Sequence, residues 1–277
     1  MKQIIKLVIL SLIGAFTKKL LGRHVYALII TSANGLCYAV DPEDYGVGRK
    51  LRMTGEYGLD EIERLKPHIT PDSKVLIIGA HVGTLAIPIS KLCKDVVAIE
   101  ANPTTYNLLT TNIVLNSISN CRAINIAAND KDENIEFLIS RANSGGSKRV
   151  PKIKKFVYYY DNPEKISIKA VILDKYLEEK KFDIIIMDIE GAEYFALQGM
   201  QEILSKCKLL VVEFLPHHLK NVSGVTVEQF LSVITPHFSK LTIPSKQLVL
   251  DVSGCVDCLT EMYNLEQGDN GIIFEKV

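Results

Sequence analysis

The chain has 277 residues, 47% of them hydrophobic and 23% charged, with 32 Lys plus Arg against 32 Asp plus Glu. That apolar fraction at this length excludes a disordered chain and supplies a sizeable buried core. Zero net charge excludes an overall field that gathers polyphosphate, so no nucleic-acid partner is expected.

The first acidic residue is Asp41, and Lys2, Lys6, Lys18, Lys19 and Arg23 precede it. Between Lys6 and Lys18 runs LVILSLIGAFT, 11 residues where a spanning helix needs about 20. The segment 1–22 therefore reads as a helix packed on its own domain or a partner. A peripheral membrane contact and a signal peptide are the alternatives. HVYALIITSANGLCYAV follows as two short strands around an Asn34-Gly35 turn. After a glycine-broken stretch, LDEIERLKPHI has a helical period that ends at Pro67.

From residue 74 the pattern changes. KVLIIG is a short apolar run ended by Gly79, as expected of a strand buried on both faces. Residues 84–93 read as a helix, DVVAIE as the second strand, and Asn102-Pro103 as the cap and first position of a helix reaching Asn116. CRAINIA and the shorter IEFLIS are further strands, with a Ser/Gly-rich loop from Ala142 to Ser147. FDIIIMD, CKLLVVEF and GIIFEKV are strands, and EYFALQGMQEILSK and VEQFLSVITPHF the helices between them. Strands alternating with helices predict an α/β fold, a mostly parallel sheet with helices on both faces. We divide the chain into an N-terminal helix and hairpin extension, 1–50, and one α/β domain, 51–277.

Six cysteines stand at 37, 93, 121, 207, 255 and 258 without regular spacing, which predicts reduced thiols and a cytoplasmic protein. Cys255-Val-Asp-Cys258 is a single CxxC with no second pair, too few ligands for a zinc site, and no metal is expected.

In sheets of this kind ligands bind at the carboxyl ends of the strands. The first strand ends in Gly79-Ala80-His81-Val82-Gly83, a GxxxG turn that lets a ligand approach the backbone but lacks the dinucleotide GxGxxG. Glu100 ends the next strand, 21 residues after Gly79, where a carboxylate can accept from both ribose hydroxyls of an adenosine. The adenine then meets the end of the third strand, Asn125 to Asn129 with Ala127 between, where Asn125 or Asn129 hydrogen-bonds the base or only makes a turn. Met187-Asp188-Ile189-Glu190-Gly191-Ala192-Glu193 puts three carboxylates at one strand tip, and Glu213-Phe-Leu-Pro-His217-His218 ends the next. Lys148-Arg-Val-Pro-Lys-Ile-Lys-Lys155-Phe156 is basic and aromatic, and reads as a solvated loop or edge strand.

The run VLIIGAHVGT, VVAIEANP, AINIAANDKDE, VILDKYL, FDIIIMDIEGAEYFALQGM, LLVVEF resembles the FkbM family of S-adenosylmethionine-dependent methyltransferases over roughly residues 50–215, most specifically in DIEGAE followed by L-x-G. The resemblance implies a class I methyltransferase (Rossmann-like) sheet and methyl transfer to oxygen on sugars, glycans, glycolipids or natural products. Three positions depart from the family: Ile77 where Asp is usual, His81 for Asn, and Met187 for Lys. The reading that follows assigns Gly79, Ala80, His81, Gly83, Glu100, Asn102, Asn125 and Ala127 to the cofactor. It gives Asp188 the acceptor or the methionyl ammonium, and makes Glu190, Glu213 or His217 the proton acceptor. A non-catalytic member that binds membrane or partner, and an NAD-dependent oxidoreductase, are the competing readings.

Overall fold

The computed structural model describes residues 2–22 and 24–276; Met1, Arg23, Val277 and the side chains of Lys2 and Gln3 lie outside the described residues. Helix α1 (Lys2–Leu21) leads into an antiparallel hairpin of β1 (Leu28–Thr31) and β2 (Cys37–Val40), turned at Gly35, whose φ is 79°. Two short helices, α2 (Val47–Thr54) and α3 (Leu59–Leu65), precede the α/β units. These begin with β3 (Lys74–Ile78), α4 (Ala86–Ser90), β4 (Asp95–Ile99), α5 (Pro103–Leu115) and β5 (Cys121–Ile124). Four strands follow, β6 (Ala127–Ala128), β7 (Glu133–Ile139), β8 (Lys148–Arg149) and β9 (Glu164–Val171), then the turn of helix α6 (Leu173–Tyr176). The chain continues through β10 (Ile184–Met187), α7 (Glu193–Gln198), α8 (Gln201–Lys206), β11 (Leu209–Phe214), α9 (Pro216–His218) and α10 (Val227–Ser232). It closes with β12 (Lys240–Ile243), β13 (Leu248–Asp251), α11 (Cys255–Asn264) and β14 (Asp269–Glu275).

Eight strands form one sheet in the order β13-β12-β14-β11-β10-β3-β4-β5. The strands β5, β4, β3, β10 and β11 are mutually parallel, while β14 runs antiparallel to β11, and β12 pairs antiparallel with both β14 and β13. The strand order reverses between β3 and β10. Side chains alternate across the sheet: Leu76, Ile78, Ile185 and Met187 pack with α7, α8, α10 and α11 on one face, and Val75, Ile77, Ile184 and Ile186 with α3, α4 and α5 on the other. Both faces are covered, as an apolar parallel sheet requires.

Several predicted elements differ. IEFLIS becomes β7, but it lies in a second sheet of order β6-β9-β7-β8, and CRAINIA divides between the two sheets at Asn125-Ile126. The helix over EYFALQGMQEILSK breaks after Gln198 at Gly199, a weak helix residue packed so closely that a Cβ there would stand 1.9 Å from the Asn129 carbonyl oxygen. The helix over VEQFLSVITPHF stops at Ser232, ahead of Pro236, which removes a donor and biases the preceding residue away from helix. Strands β9, β12 and β13 were not anticipated.

The hairpin shares a core with the domain, Tyr38, Val40, Val47 and Leu51 packing with Val82, Ile87 and Leu108. Buried Asn112 on α5 acts as an extra strand partner. Its Oδ1 accepts from Ala39 N at 2.5 Å, and its Nδ2 donates to the carbonyls of Ala39 and Val82 at 3.1 and 2.8 Å. Segment 39–48 is thereby fixed beside the turn that follows β3.

Candidate active site

A cavity of about 310 Å³ opens where the strand order reverses, over the tips of β3, β4, β10 and β11. Its floor is Ile77 and Ile186, its walls carry Glu100, Asp188, Glu190 and Glu213, and segments 57–61 and 143–147 close it. A smaller apolar slot of about 30 Å³ adjoins it, sharing Ile78, Gly79, Ala101, Phe137 and Ile189 as lining and extending to Ile126, Ala127 and Asn129.

The turn after β3 is held close to β10. Gly79 has φ 89°, and a Cβ there would stand 1.8 Å from the Asp188 carbonyl oxygen, so only glycine fits. His81 follows at φ 51°, a left-handed conformation that costs a non-glycine residue roughly 1–2 kcal/mol. Its backbone N donates to Glu100 Oε2 and Asn102 N donates to Glu100 Oε1, each at 2.8 Å. Burial pushes the Glu100 carboxyl up to about 7, against those two hydrogen bonds. Each Glu100 oxygen keeps a lone pair for a further donor.

The His81 ring is tied to the N-terminal extension. Ser144 Oγ donates to Asp44 Oδ2 at 3.0 Å, and His81 Nε2 stands 2.7 Å from the same Ser144 oxygen. With the hydroxyl hydrogen committed to Asp44, Nε2 is the donor and Nδ1 is left as an acceptor. Burial lowers the His81 pKa, so the ring is neutral. Asp44 is itself oriented by the backbone N–H groups of Gly46 and Gly48, both at 2.8 Å.

The β10 tip carries the charge cluster. Asp188 opens on the cavity, where solvent reaches it, yet it is set deep in the protein and its carboxylate makes no hydrogen bond or ion pair to a described residue. Burial, and then the charges of Glu190, Glu193 and Glu61, push its pKa well above the usual carboxylate range. Glu190, at φ 57°, receives the Lys148 ammonium at 2.7 Å. Lys148 Nζ also stands 3.2 Å from His218 Nε2, and His218 Nδ1 stands 3.2 Å from Glu213 Oε2. Because the ammonium can only donate, His218 Nε2 accepts and Nδ1–H donates to Glu213. Burial, with Lys148 and His217 nearby, keeps His218 neutral, while burial and the neighbouring carboxylates push Glu213 well up. Gly191, at φ 102°, allows this packing, since its Cβ would stand 2.6 Å from Val222 and 3.0 Å from His218. Glu193 is turned to the backbone, accepting from the N–H groups of Ile189 and Gly191 at 3.1 Å. Oxygens of Asp188, Glu193 and Glu213 lie within 4.8 Å of one another, a spacing compatible with a cation.

Of the residues anticipated from sequence, Gly79, Ala80, His81, Glu100, Asp188, Glu190 and Glu213 line the larger cavity and Ala127 the smaller. Gly83 is buried structure instead: its Cβ would meet Leu109 at 2.8 Å. Asn102 caps α5, accepting from Thr104 N. Asn125 ties strand ends together through the carbonyls of Glu100 and Ala101 and lines neither cavity. His217 is exposed and leans on Tyr158, and it is His218 that joins the carboxylates. Lys148, read as part of a solvated stretch, is 7% exposed. Met187 points into the core, and the ammonium beside Glu190 comes from Lys148. Glu61, Asp44 and Ser144 were not anticipated.

The family model described as "Methyltransferase FkbM domain" matches residues 78–236, more than half of the chain. No curated protein matches it. Solved structures similar to the chain include the methyltransferase FkbM from Methylobacillus flagellatus KT, at 17% identity and TM-score 0.42, covering 74% of this chain and 44% of that one. A Pyrococcus horikoshii protein described as a transferase is 18% identical at TM-score 0.44, covering 78% and 63%. The 16S rRNA N2 G1207 methyltransferase of T. Thermophilus, solved with AdoMet and guanosine, is 14% identical at TM-score 0.45, covering 91% and 50%. The chain thus spans less than two thirds of the length of the first two. The match of residues 78–236 takes in the Gly79 turn, Glu100, the DIEGAE tip and the Glu213–His218 pair, and the chain belongs to the FkbM family of S-adenosylmethionine-dependent methyltransferases.

Proposed function

We propose that this chain transfers a methyl group from S-adenosylmethionine to a hydroxyl oxygen of a small acceptor: a sugar, glycan, glycolipid or natural product. The observation that carries this reading is one cavity lined at once by the Glu100 carboxylate and by Asp188, whose carboxylate has no hydrogen bond or ion pair to a described residue. The donor set fits the cofactor. Glu100 offers acceptor lone pairs to a ribose diol, the apolar lining from Ile99 to Phe137 offers a surface for a base to lie against, and the Gly79–His81 backbone allows close approach. Glu61 lines the cavity with Ile77 and replaces the carboxylate missing at 77 as partner for an ammonium, and Asp188 faces the sulfonium. When bound, the cofactor supplies an electrophilic methyl group.

The chain's own residues orient the reactants, exclude water and take up a proton. Glu213 is the proton acceptor in this reading. Burial makes its carboxylate a stronger base, and His218 Nδ1–H, held by Lys148 from behind, steadies it. An NAD-dependent oxidoreductase fits poorly, because the turn from Gly79 to Gly83 lacks the GxGxxG pattern that cradles a pyrophosphate. The balanced charge favours a small acceptor over nucleic acid, and six free cysteines suit a reducing cytoplasm.

Parallel titration calorimetry with S-adenosylmethionine, S-adenosylhomocysteine and NAD tests the reading. Binding of the first two and not of NAD is expected; preference for NAD overturns it.

A further inference from the structure

Helix α1 carries two opposite faces. Leu7, Ser11, Gly14 and Lys18, at helical spacing, make its covered face: Ser11 is buried, a Cβ on Gly14 would stand 2.2 Å from the Glu43 carbonyl oxygen, and Lys18 pairs with Asp41 and Glu43 at 3.7 and 3.6 Å. On the other side Ile5, Ile9, Leu12, Phe16 and Leu20 form a stripe of large apolar side chains, with Phe16 66% and Leu20 76% exposed. A contiguous apolar stripe left open to water marks an interaction surface.

Charge identifies what covers it. The helix contains no acidic residue, and Lys6 and Lys19 are exposed beside the stripe without a described ion-pair partner. A second copy is disfavoured, because two-fold antiparallel pairing through this stripe lays the exposed Lys6 and Lys19 of both helices along one seam with no acidic residue on either helix to answer them. No described helix is long and apolar enough to cross a membrane, so a helix of 20 residues lies along a surface for about 30 Å. The loop around Lys154, Lys155 and exposed Phe156 repeats the same basic and apolar chemistry. It reaches the segment beneath α1 through Tyr160, whose hydroxyl stands 2.7 Å from that of Tyr45.

We infer that the Ile5–Leu20 stripe of α1, flanked by Lys6 and Lys19, docks the protein on an anionic lipid surface. The helix sits on Glu43, which also pairs with Arg141 at 2.9 Å, next to the 143–147 segment that closes the cavity. Docking therefore sets the cavity close to the lipid headgroups. The inference goes beyond the methyltransferase reading and does not need it.

The test is cosedimentation of the full chain with vesicles of phosphatidylcholine containing phosphatidylglycerol, and with phosphatidylcholine alone. The parent is expected to pellet with the anionic vesicles and to be released by salt. Leu12→Glu with Phe16→Glu, both fully outside the core, is expected to lower the bound fraction at least about tenfold while leaving the affinity for S-adenosylhomocysteine unchanged. Absence of the parent from the anionic pellet, equal pelleting of the variant, or a dimer in sedimentation velocity that this variant dissociates overturns the inference. Failure to bind S-adenosylhomocysteine in parent and variant alike would count against the cofactor reading and not against docking.

Discussion

The Lys148 ammonium meets the Glu190 carboxylate at 2.7 Å inside the protein, although β8 and the β10 tip belong to different sheets. The pair places the one buried cation among the described site residues next to Glu190, Glu213 and Asp188. Lys148→Met leaves Glu190 without its counter-charge and is expected to destabilise the fold by about 3 kcal/mol in urea unfolding, the scale for breaking a buried pair. Adding Glu190→Gln is expected to restore most of that loss. An unchanged midpoint in the single variant would show that the pair holds nothing.

The two histidines separate by position. His218 touches Glu213 and His217 does not. Methyl transfer should fall at least about tenfold in His218→Ala and stay within about twofold of the parent in His217→Ala. The reverse ranking would move the proton acceptor out of the cavity.

Glu100 links the ligand to pH. Its pKa rises from 4.5 to about 7 on folding, so the folded state binds the proton more tightly. The stabilisation is fully present below 4.5 and is lost as pH rises through about 7. The stability of the parent relative to Glu100→Gln is therefore expected to decline across that window in unfolding curves. Glu100→Gln should also weaken S-adenosylhomocysteine binding by about 1–3 kcal/mol. A flat difference with pH would contradict the assigned shift.

Asp188 and Glu213 both hold protons more tightly than ordinary carboxyls, and a cation entering beside them lowers both. Calorimetry at neutral pH in buffers of different ionisation heat should find more proton release with the cationic S-adenosylmethionine than with S-adenosylhomocysteine. Equal release from the two ligands would remove the cation from the cluster's surroundings.

The strands KVLIIG and DVVAIE and their tips were readable because unbroken apolar runs ended by Gly79 and Glu100 allow few other structures. The tip order also located Asp188 and Glu213. What sequence did not disclose lies between elements distant in the chain. Lys148 looks like a member of a solvated basic run until β8 lands beside β10. Asp44 sits in a segment assigned to an extension, yet it orients Ser144 and His81. Glu61 has an ordinary exposed-helix pattern, and only the closing of α3 over Ile77 brings it to the cavity. His217 and His218 are indistinguishable by composition; the packing of Gly191 against the His218 Cβ selects between them. Strand β9 does carry the period-two alternation of a half-buried strand, from Lys165 to Ala170.

The central claim is that Asp188 faces the positive end of the cofactor. Asp188→Asn keeps the shape and removes the charge, and the side chain makes no described hydrogen bond or ion pair whose loss would disturb the fold. Titration of this variant and the parent with both ligands tests the claim directly. We predict that affinity for S-adenosylmethionine falls at least about tenfold, roughly 1.4 kcal/mol, while S-adenosylhomocysteine, which lacks the sulfonium charge, loses clearly less. Unchanged affinity for S-adenosylmethionine, or an equal loss for both ligands, would contradict it.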